Sequence, residues 1–353
     1  MIKLFSTVNF LFLFYLCCNG QNYNYVDVKY FPQVQNTNIS CITLNGNSKT
    51  LFFCTQSGVF EFDGMRCKEI KFGVDDNRLL DSRSVQKLYS YEGAGYLFAL
   101  ISNAGLAILN TSGKKSYFQT LRINEISKQD QFLGVEKYKE NYLVATSGGL
   151  FLISVKWDEK KKMFEAIIID NYKQVKPELV AKVTNSSFAI LERNNTMTRF
   201  AITSGDKISK EQTVVLPLYT KNIKEYFTLT HKDDIFNIGT NHGLFQIEIT
   251  NGVSKLKNNY LANQSIYSIL QKKTGSLTIA ASNGLYELKA TGELIQIKNN
   301  STEINNDILS TVYNLYDDGN NTWLATQSGL AMCTATYRHL ILKLSIQTNK
   351  TNL

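Results

Sequence analysis

Proline and histidine are scarce in this chain of 353 residues, which contains three of each. Three prolines exclude a Pro-rich linker, and three histidines leave few candidates for a metal centre or a general base. No stretch carries a sustained helical period of apolar residues. Tyrosine and phenylalanine are by contrast abundant, with 19 and 20 residues, and aromatic residues favour strands. The composition therefore predicts an all-β protein with a sizeable core.

Strong charge clusters are also lacking, although the formal net charge is +8. The densest basic run is 160–162, and it lies beside Asp158 and Glu159. This mixture predicts a solvated hairpin tip, because nucleic-acid binding needs a face that makes several phosphate contacts. We expect no nucleic-acid partner.

The N-terminus is the one segment with a targeting pattern. Lys3 precedes an unbroken apolar run over 10–16, and the chain turns polar after Gly20. This pattern predicts a cleaved signal peptide over 1–20 and a secreted or extracytoplasmic mature chain, with an uncleaved anchor as the alternative. The best later candidate for a membrane span, 340–344, is far too short. We therefore expect no integral span after cleavage.

One motif recurs along the mature chain: a strand, a small or polar pair, a glycine, an apolar residue and a second strand. Its glycines are Gly58, Gly105, Gly149, Gly243, Gly284 and Gly329. The intervals between them are 47, 44, 94, 41 and 45 residues, so the third gap holds two periods. A degenerate copy fills that gap, with Asn194 and Asn195 at the turn. Seven units of this length are typical of propeller blades.

The repeat unit has a physical explanation. Its turn needs a residue that tolerates positive φ, and its strands are apolar on both faces, so neighbouring sheets must cover them. We predict a single seven-bladed β-propeller of four-stranded blades over 21–353. The segment 25–31 is expected to pair as the outer strand of the last blade and so remove the open edge; the segment 338–346 is the alternative.

Cysteine and asparagine supply candidate modification sites. Four cysteines follow the leader, and their pairing stays open among three connectivities: Cys41, Cys54, Cys67 and Cys333. Their spacing contains no C-x-x-C metal motif. Nine Asn-x-Ser/Thr sequons are candidate glycosylation sites: Asn38, Asn110, Asn185, Asn194, Asn263, Asn299, Asn300, Asn320 and Asn349.

The last repeat, VYNLYDDGNNTWLATQSGL over 312–330, resembles a blade of the two-component-regulator propeller family, and GVFEFDG over 58–64 resembles part of its first blade. The sequence departs from the family pattern in two ways. Only one repeat has the tryptophan of the family's blade, and the fourth repeat has lost the turn glycine. The resemblance implies an extracytoplasmic sensor propeller. In that family such rings often occur in pairs ahead of a membrane span and a histidine kinase, and we do not carry the kinase part over.

Candidate chemistry is sparse. His231 and His242 flank a hairpin that also contains Asp233 and Asp234. These residues predict a polar rim of the ring rather than a metal site, because no third ligand with a fixed spacing is visible. We expect no catalytic, cofactor-binding or metal-binding residues.

The predicted function is non-catalytic binding or sensing of a glycan or protein ligand. The alternatives are a propeller-type glycan hydrolase or lyase and a truncated ectodomain of a membrane sensor. Three or more convergent Asp, Glu, His or Arg side chains at the channel mouth would favour the enzyme, and an apolar or Tyr-lined mouth would favour the binding module.

Overall fold

Short strands rich in aromatic and β-branched residues build seven sheets in the computed structural model of this protein. The structure describes residues 23–26, 28–31, 34, 37–45, 50–75, 78–80, 85–91, 95–101, 105–111, 117–121, 123–127, 129–218, 223–299 and 306–334. Within these ranges the helical residues are Val34 and a 3-10 turn over Asn306–Leu309. The predicted seven-bladed all-β propeller is confirmed.

Each blade is an antiparallel meander that runs from an innermost to an outermost strand. Blade one has the strands Ile39–Leu44, Leu51–Thr55, Gly58–Phe62 and Cys67–Ile70, and blade two has Val85–Ser90, Tyr96–Ile101, Gly105–Asn110 and Phe118–Thr120. Blade three has Phe132–Tyr138, Asn141–Thr146, Gly149–Asp158 and Met163–Tyr172, and blade four has Pro177–Lys182, Ser187–Glu192, Thr196–Ile202 and Ile208–Val215. Blade five has the strands Tyr226–Lys232, Ile235–Thr240, Gly243–Thr250 and Val253–Tyr260, and blade six has Ile266–Gln271, Leu277–Ala281, Gly284–Leu288 and Leu294–Asn299. Blade seven has Val312–Asp317, Asn321–Thr326 and Gly329–Thr334, with Val28–Tyr30 as its outermost strand.

Closure of the ring uses the N-terminal segment. Val28–Tyr30 pairs antiparallel with Gly329–Thr334, which confirms the expected outer strand of the last blade. Tyr23–Val26 adds instead to blade six, where it runs parallel to Leu294–Asn299. Two strands of one short segment thus join the edges of neighbouring blades. The alternative closing segment, 338–346, lies outside the described residues.

Blade two is wider than predicted. The connection from blade one adds Phe72–Asp75 parallel to Phe118–Thr120, and Arg78–Leu80 pairs with it as a further strand. This covers an edge that would otherwise expose backbone hydrogen-bonding groups.

The core lies between the blades. Seven clusters of buried apolar side chains each join two neighbouring blades, and the last joins blade seven to blade one. Middle strands such as Leu277–Ala281 are buried at every residue, whereas the outermost strand Val253–Tyr260 is largely exposed. A single blade cannot bury its own faces, so stability arises from the stacking of sheets.

The turn between the second and third strands recurs in identical form in four blades. A threonine hydroxyl donates to the glycine carbonyl oxygen and accepts from the backbone N–H two residues after itself, at Thr55, Thr146, Thr240 and Thr326. The six repeat glycines all have positive φ, between +99° and +149°. Asn195 has φ of +61° in the degenerate fourth turn. These turns lie at the end of the ring where the innermost strands begin, which we call the entry face.

Candidate functional site at the channel entry

Every innermost strand has a β-bulge at its second residue. The pairing with the second strand skips one residue in each of the seven blades. The seven skipped residues are Ser40, Gln86, Leu133, Glu178, Phe227, Tyr267 and Tyr313. A bulged residue leaves the ladder and its side chain is re-aimed. Because the same bulge recurs around the ring, it places one residue from each blade at the entry to the central channel.

Three of these residues form an aromatic arc, which we define as Phe227, Tyr267 and Tyr313. The ring centroids of Phe227 and Tyr267 are 5.1 Å apart, and those of Tyr267 and Tyr313 are 5.2 Å apart. Tyr267 therefore contacts side chains of both neighbouring blades. A side chain lying on one face of its blade could not do this, so the ring of Tyr267 lies at the inner edge, at the channel mouth. All three rings remain partly exposed.

The mouth is polar beside blade four, where the repeat is degenerate. Arg193, in the turn without glycine, pairs with Glu178 through Nε and Oε1 at 2.7 Å. The hydroxyl of Tyr226 donates to Oδ1 of Asn195 in the same turn. Burial, and secondarily the charge of Glu178, raise the pKa of Tyr226. The irregular turn thus brings a charged pair next to the aromatic arc.

Lys87 reaches across the ring. Its ammonium, carried by the innermost strand of blade two, donates to the carbonyl oxygen of Phe227 in blade five at 3.3 Å. Phe227 belongs to the aromatic arc, so a cation lies at the level of the rings. Lys87 is half-buried; its burial lowers the pKa of the ammonium, and the charge of Glu136 opposes the shift.

Glu136 is the carboxylate of the channel. Burial raises its pKa to about 7, against an opposing effect of the Lys182 charge, the Lys182 backbone N–H and Lys87. The hydroxyls of Tyr89 and Tyr91 have raised pKa values, first because they are buried and second because Glu136 is near. Beneath the arc, the Glu136 carboxyl is therefore the group on which the Lys87 and Lys182 charges act.

The arrangement can stack on a ring-shaped ligand and donate hydrogen bonds to it. Within the described part of the chain, no group of three or more His, Cys, Asp or Glu residues could hold a metal ion. His231 and His242 are not brought together: His231 contacts the carbonyl oxygen of Lys182 at 3.0 Å, and His242 lies in the entry-face turn of blade five. His339 lies outside the described residues.

The cysteines form one disulfide. Cys41 and Cys54 face each other on the first two strands of blade one and are bonded. Cys67 is an exposed free thiol and Cys333 a buried one. Burial raises the pKa of Cys333 to about 12, so its thiol is unreactive at neutral pH.

The sequons differ in accessibility. Four of them lie exposed in turns, at Asn185, Asn194, Asn263 and Asn320. Asn38 is half-buried, and Asn110 and Asn299 are buried, with 7 % and 8 % exposure. Asn300, Asn349 and the expected signal peptide lie outside the described residues.

The two tryptophans pack rather than line the channel. Trp323 stacks on Phe31 at 5.4 Å and donates from Nε1 to Asp318 at 2.8 Å. Trp157 contacts Phe164 edge to face at 4.9 Å.

A second concavity lies between blades five and six, on the outer side of the ring. Three amides cross blade five in a row: Asn258 donates to Gln246 at 3.1 Å, and Gln246 donates to Asn237 at 2.8 Å. Tyr260 and Lys232 also line this cleft. Its three amides bond to each other, so the channel mouth is the stronger candidate site.

Sequence reasoning had not identified the bulge ring. The signal was present, since Phe227, Tyr267 and Tyr313 each stand 16 or 17 residues before the turn glycine of their blade. Aligning the repeats on that glycine, with a gap of one residue for the sixth unit, would have revealed an aromatic residue at one repeat position in three successive units.

No helix in the described ranges is long and apolar enough to cross a membrane.

Comparison with known proteins gives the fold a context. No protein-family profile matches the sequence, and no curated protein matches it. The extracellular domain of a protein described as a hybrid two component system of B. thetaiotaomicron is 16% identical, with a TM-score of 0.64, over 89% of this chain and 42% of that one. The corresponding domain of a one component system of the same organism is 17% identical, with a TM-score of 0.59, over 89% and 40%.

Streptogramin B lyase is 12% identical, with a TM-score of 0.59, over 89% of this chain and 98% of its own. These likenesses show the propeller fold and agree at that level with the resemblance found in the last repeat. The chain spans about two fifths of the two bacterial ectodomains.

Proposed function

We propose that this protein is a non-catalytic binding or sensing module whose ligand, a glycan, lies at the channel mouth. The aromatic arc carries the proposal: three rings from successive blades face one opening, and aromatic faces suit the apolar face of a sugar ring. A Tyr-lined mouth is the arrangement expected of a binding propeller, and the charged side chains beside it, Glu178 and Arg193, are paired with each other.

Two further observations support an extracytoplasmic role. The Cys41–Cys54 disulfide is typical of oxidising compartments. The similar bacterial ectodomains are extracellular parts of regulatory systems. We propose by analogy that the ring reports ligand occupancy to a partner or to a further segment of a membrane sensor.

The test is a glycan array probed with the secreted protein, followed by titration of the best glycan. Tyr267→Ala removes the central ring of the arc and is expected to weaken binding roughly tenfold, the loss of about 1.4 kcal/mol. Tyr260→Ala, in the cleft between blades five and six, is the matched control and should leave affinity unchanged. Loss of binding in Tyr260→Ala alone would place the ligand in that cleft. Retained binding in Tyr267→Ala would refute the proposed site.

A propeller-type lyase or hydrolase is the second candidate. It is favoured by Glu136, whose pKa of about 7 suits proton transfer, and by the likeness to streptogramin B lyase. Incubating each array-positive glycan with wild type and with Glu136→Gln separates the two functions. Cleavage by wild type that is lost in Glu136→Gln identifies an enzyme, and intact glycans with normal binding identify the binding module.

A further inference from the structure

The Lys87 ammonium lies beside the aromatic arc, where it bonds to the backbone of Phe227. Glu136, whose charge acts on Lys87 and on which Lys182 also acts, stands further from the entry face, as the fifth residue of its innermost strand. Among the described residues the Lys87 ammonium has one hydrogen bond, to a neutral carbonyl oxygen, and no ion pair. An ammonium has three donors. A partly buried cation is costly unless a negative group pairs with it, so this ammonium is suited to an anionic partner from outside the chain.

The cation and the aromatic arc lie within the reach of one sugar residue. The Lys87 ammonium is bonded to the backbone of Phe227, whose side chain is the first ring of the arc. A pyranose stacked on the arc would therefore place a ring substituent next to the ammonium. This juxtaposition is set by a contact between residues 140 positions apart.

The charge balance selects the kind of anion. A single ammonium matches a monoanion, and a dianionic phosphate ester would in addition be repelled by Glu136, whose charge acts on Lys87. We propose that the ligand is an acidic saccharide with one negative charge on the bound residue, and that Lys87 receives that charge while the arc receives the ring face. A carboxylate and a sulfate ester both supply this chemistry. The inference rests on the binding function proposed above and specifies its ligand class.

The experiment compares acidic saccharides with neutral counterparts of the same backbone. The probes are oligogalacturonides and oligomannuronates with their carboxyl-reduced forms, and sulfated galactan oligosaccharides with their desulfated forms. Isothermal titration is run on wild type, Lys87→Met and Lys210→Met. Lys210 is exposed on the outermost strand of blade four, so its variant removes one charge of the chain far from the mouth.

The expected result is that wild type binds an acidic probe at least about tenfold more tightly than its neutral form, because charge-assisted hydrogen bonds contribute that much. Lys87→Met should bind the acidic probe about as weakly as the neutral one, and its affinity for the neutral probe should equal that of wild type. Lys210→Met should behave as wild type. The carboxylate and sulfate arms identify which anion is used.

Three outcomes would overturn the inference. If acidic and neutral probes bind equally and Tyr267→Ala abolishes both, the mouth binds glycans but does not select charge, and the proposed function stands. If Lys87→Met weakens both forms equally, Lys87 does not receive the anion. If no probe of either kind binds, the glycan function fails together with the inference. Thermal unfolding of Lys87→Met checks its folding, and should it not fold, the comparison of paired probes on wild type decides alone.

Discussion

The ammonium of Lys87 and the carbonyl oxygen of Phe227 are joined by a hydrogen bond of 3.3 Å although they belong to blades two and five. A side chain that crosses the ring in this way partly closes the channel below its mouth. It links the innermost strand of blade two to the aromatic arc of blades five to seven. The Lys87 ammonium therefore lies beside the arc.

The first prediction concerns the Glu136 carboxyl. Its pKa rises from 4.5 to about 7 on folding, so the folded state holds the proton more tightly than the unfolded state. The free energy of unfolding should therefore fall as pH rises from about 4.5 to about 7, by up to about 3 kcal/mol. Glu136→Gln keeps the acceptor for the Lys182 N–H and removes this loss.

The measurement is urea unfolding of both proteins between pH 4.5 and pH 8. Glu136→Gln should be no more stable than wild type at the acidic end and clearly more stable at pH 8. Glu140→Gln, in an exposed turn, is the control for removal of a carboxylate. A constant difference between Glu136→Gln and wild type across the range would contradict the burial of a titrating carboxyl.

The second prediction concerns closure of the ring. A chain that begins at Phe31 lacks the outermost strand of blade seven and leaves Gly329–Thr334 as an open edge. It should have a markedly lower melting temperature and a tendency to aggregate. A chain that begins at Asp27 loses only the added strand on blade six and should be nearly as stable as one that begins at Gln21. Equal melting temperatures for the three chains would show that the N-terminal strand does not close the ring.

The third prediction concerns the disulfide. Its loop spans 13 residues of sequence, and cross-links of that length contribute about 3 kcal/mol in the chain-entropy account. The Cys41→Ala/Cys54→Ala double variant should lose about 2–3 kcal/mol of unfolding free energy. Cys67→Ala, at an exposed free thiol, should lose none. Thiol titration of a chain beginning at Gln21 should count one reactive group in the native protein and two in denaturant; four in denaturant would rule the bond out.

The fourth prediction concerns glycosylation. In a host that attaches N-glycans in its secretory pathway, we expect occupancy at the exposed turn sequons Asn185, Asn194, Asn263 and Asn320, because the acceptor must be accessible. The buried Asn110 should stay unmodified. Mass spectrometry after enzymatic deglycosylation in heavy-oxygen water identifies each occupied asparagine by its heavy label. A heavy label at Asn110 would contradict the burial of this residue in blade two.

The sequence was sufficient for the repeat, and for closure of the ring it left two candidate segments, of which the structure uses the N-terminal one. Glycines at positive φ, such as Gly149, and the alternating strand at 28–30 are local features, and each follows from turn geometry or from the need to cover an edge. The pairing of Cys41 with Cys54 was one of three open connectivities, because spacing does not determine which strands align.

The site required the fold. Tyr267 is an ordinary aromatic residue in its own repeat, and it becomes part of a mouth only because a bulge recurs in every blade and the ring brings those bulges together. The contact between Lys87 and Phe227 depends on the number of blades and on which of them lie opposite each other. No local pattern contains that information, so charge selection at the mouth could not be inferred from the sequence.

The most direct test of the binding site is hydroxyl-radical footprinting of the protein with and without its best array-selected glycan. The account predicts that the glycan protects Tyr267 and Tyr313 from oxidation and leaves Tyr260, in the cleft between blades five and six, as reactive as before. Protection of Tyr260 with unchanged labelling of Tyr267 and Tyr313 would contradict it and move the site away from the channel.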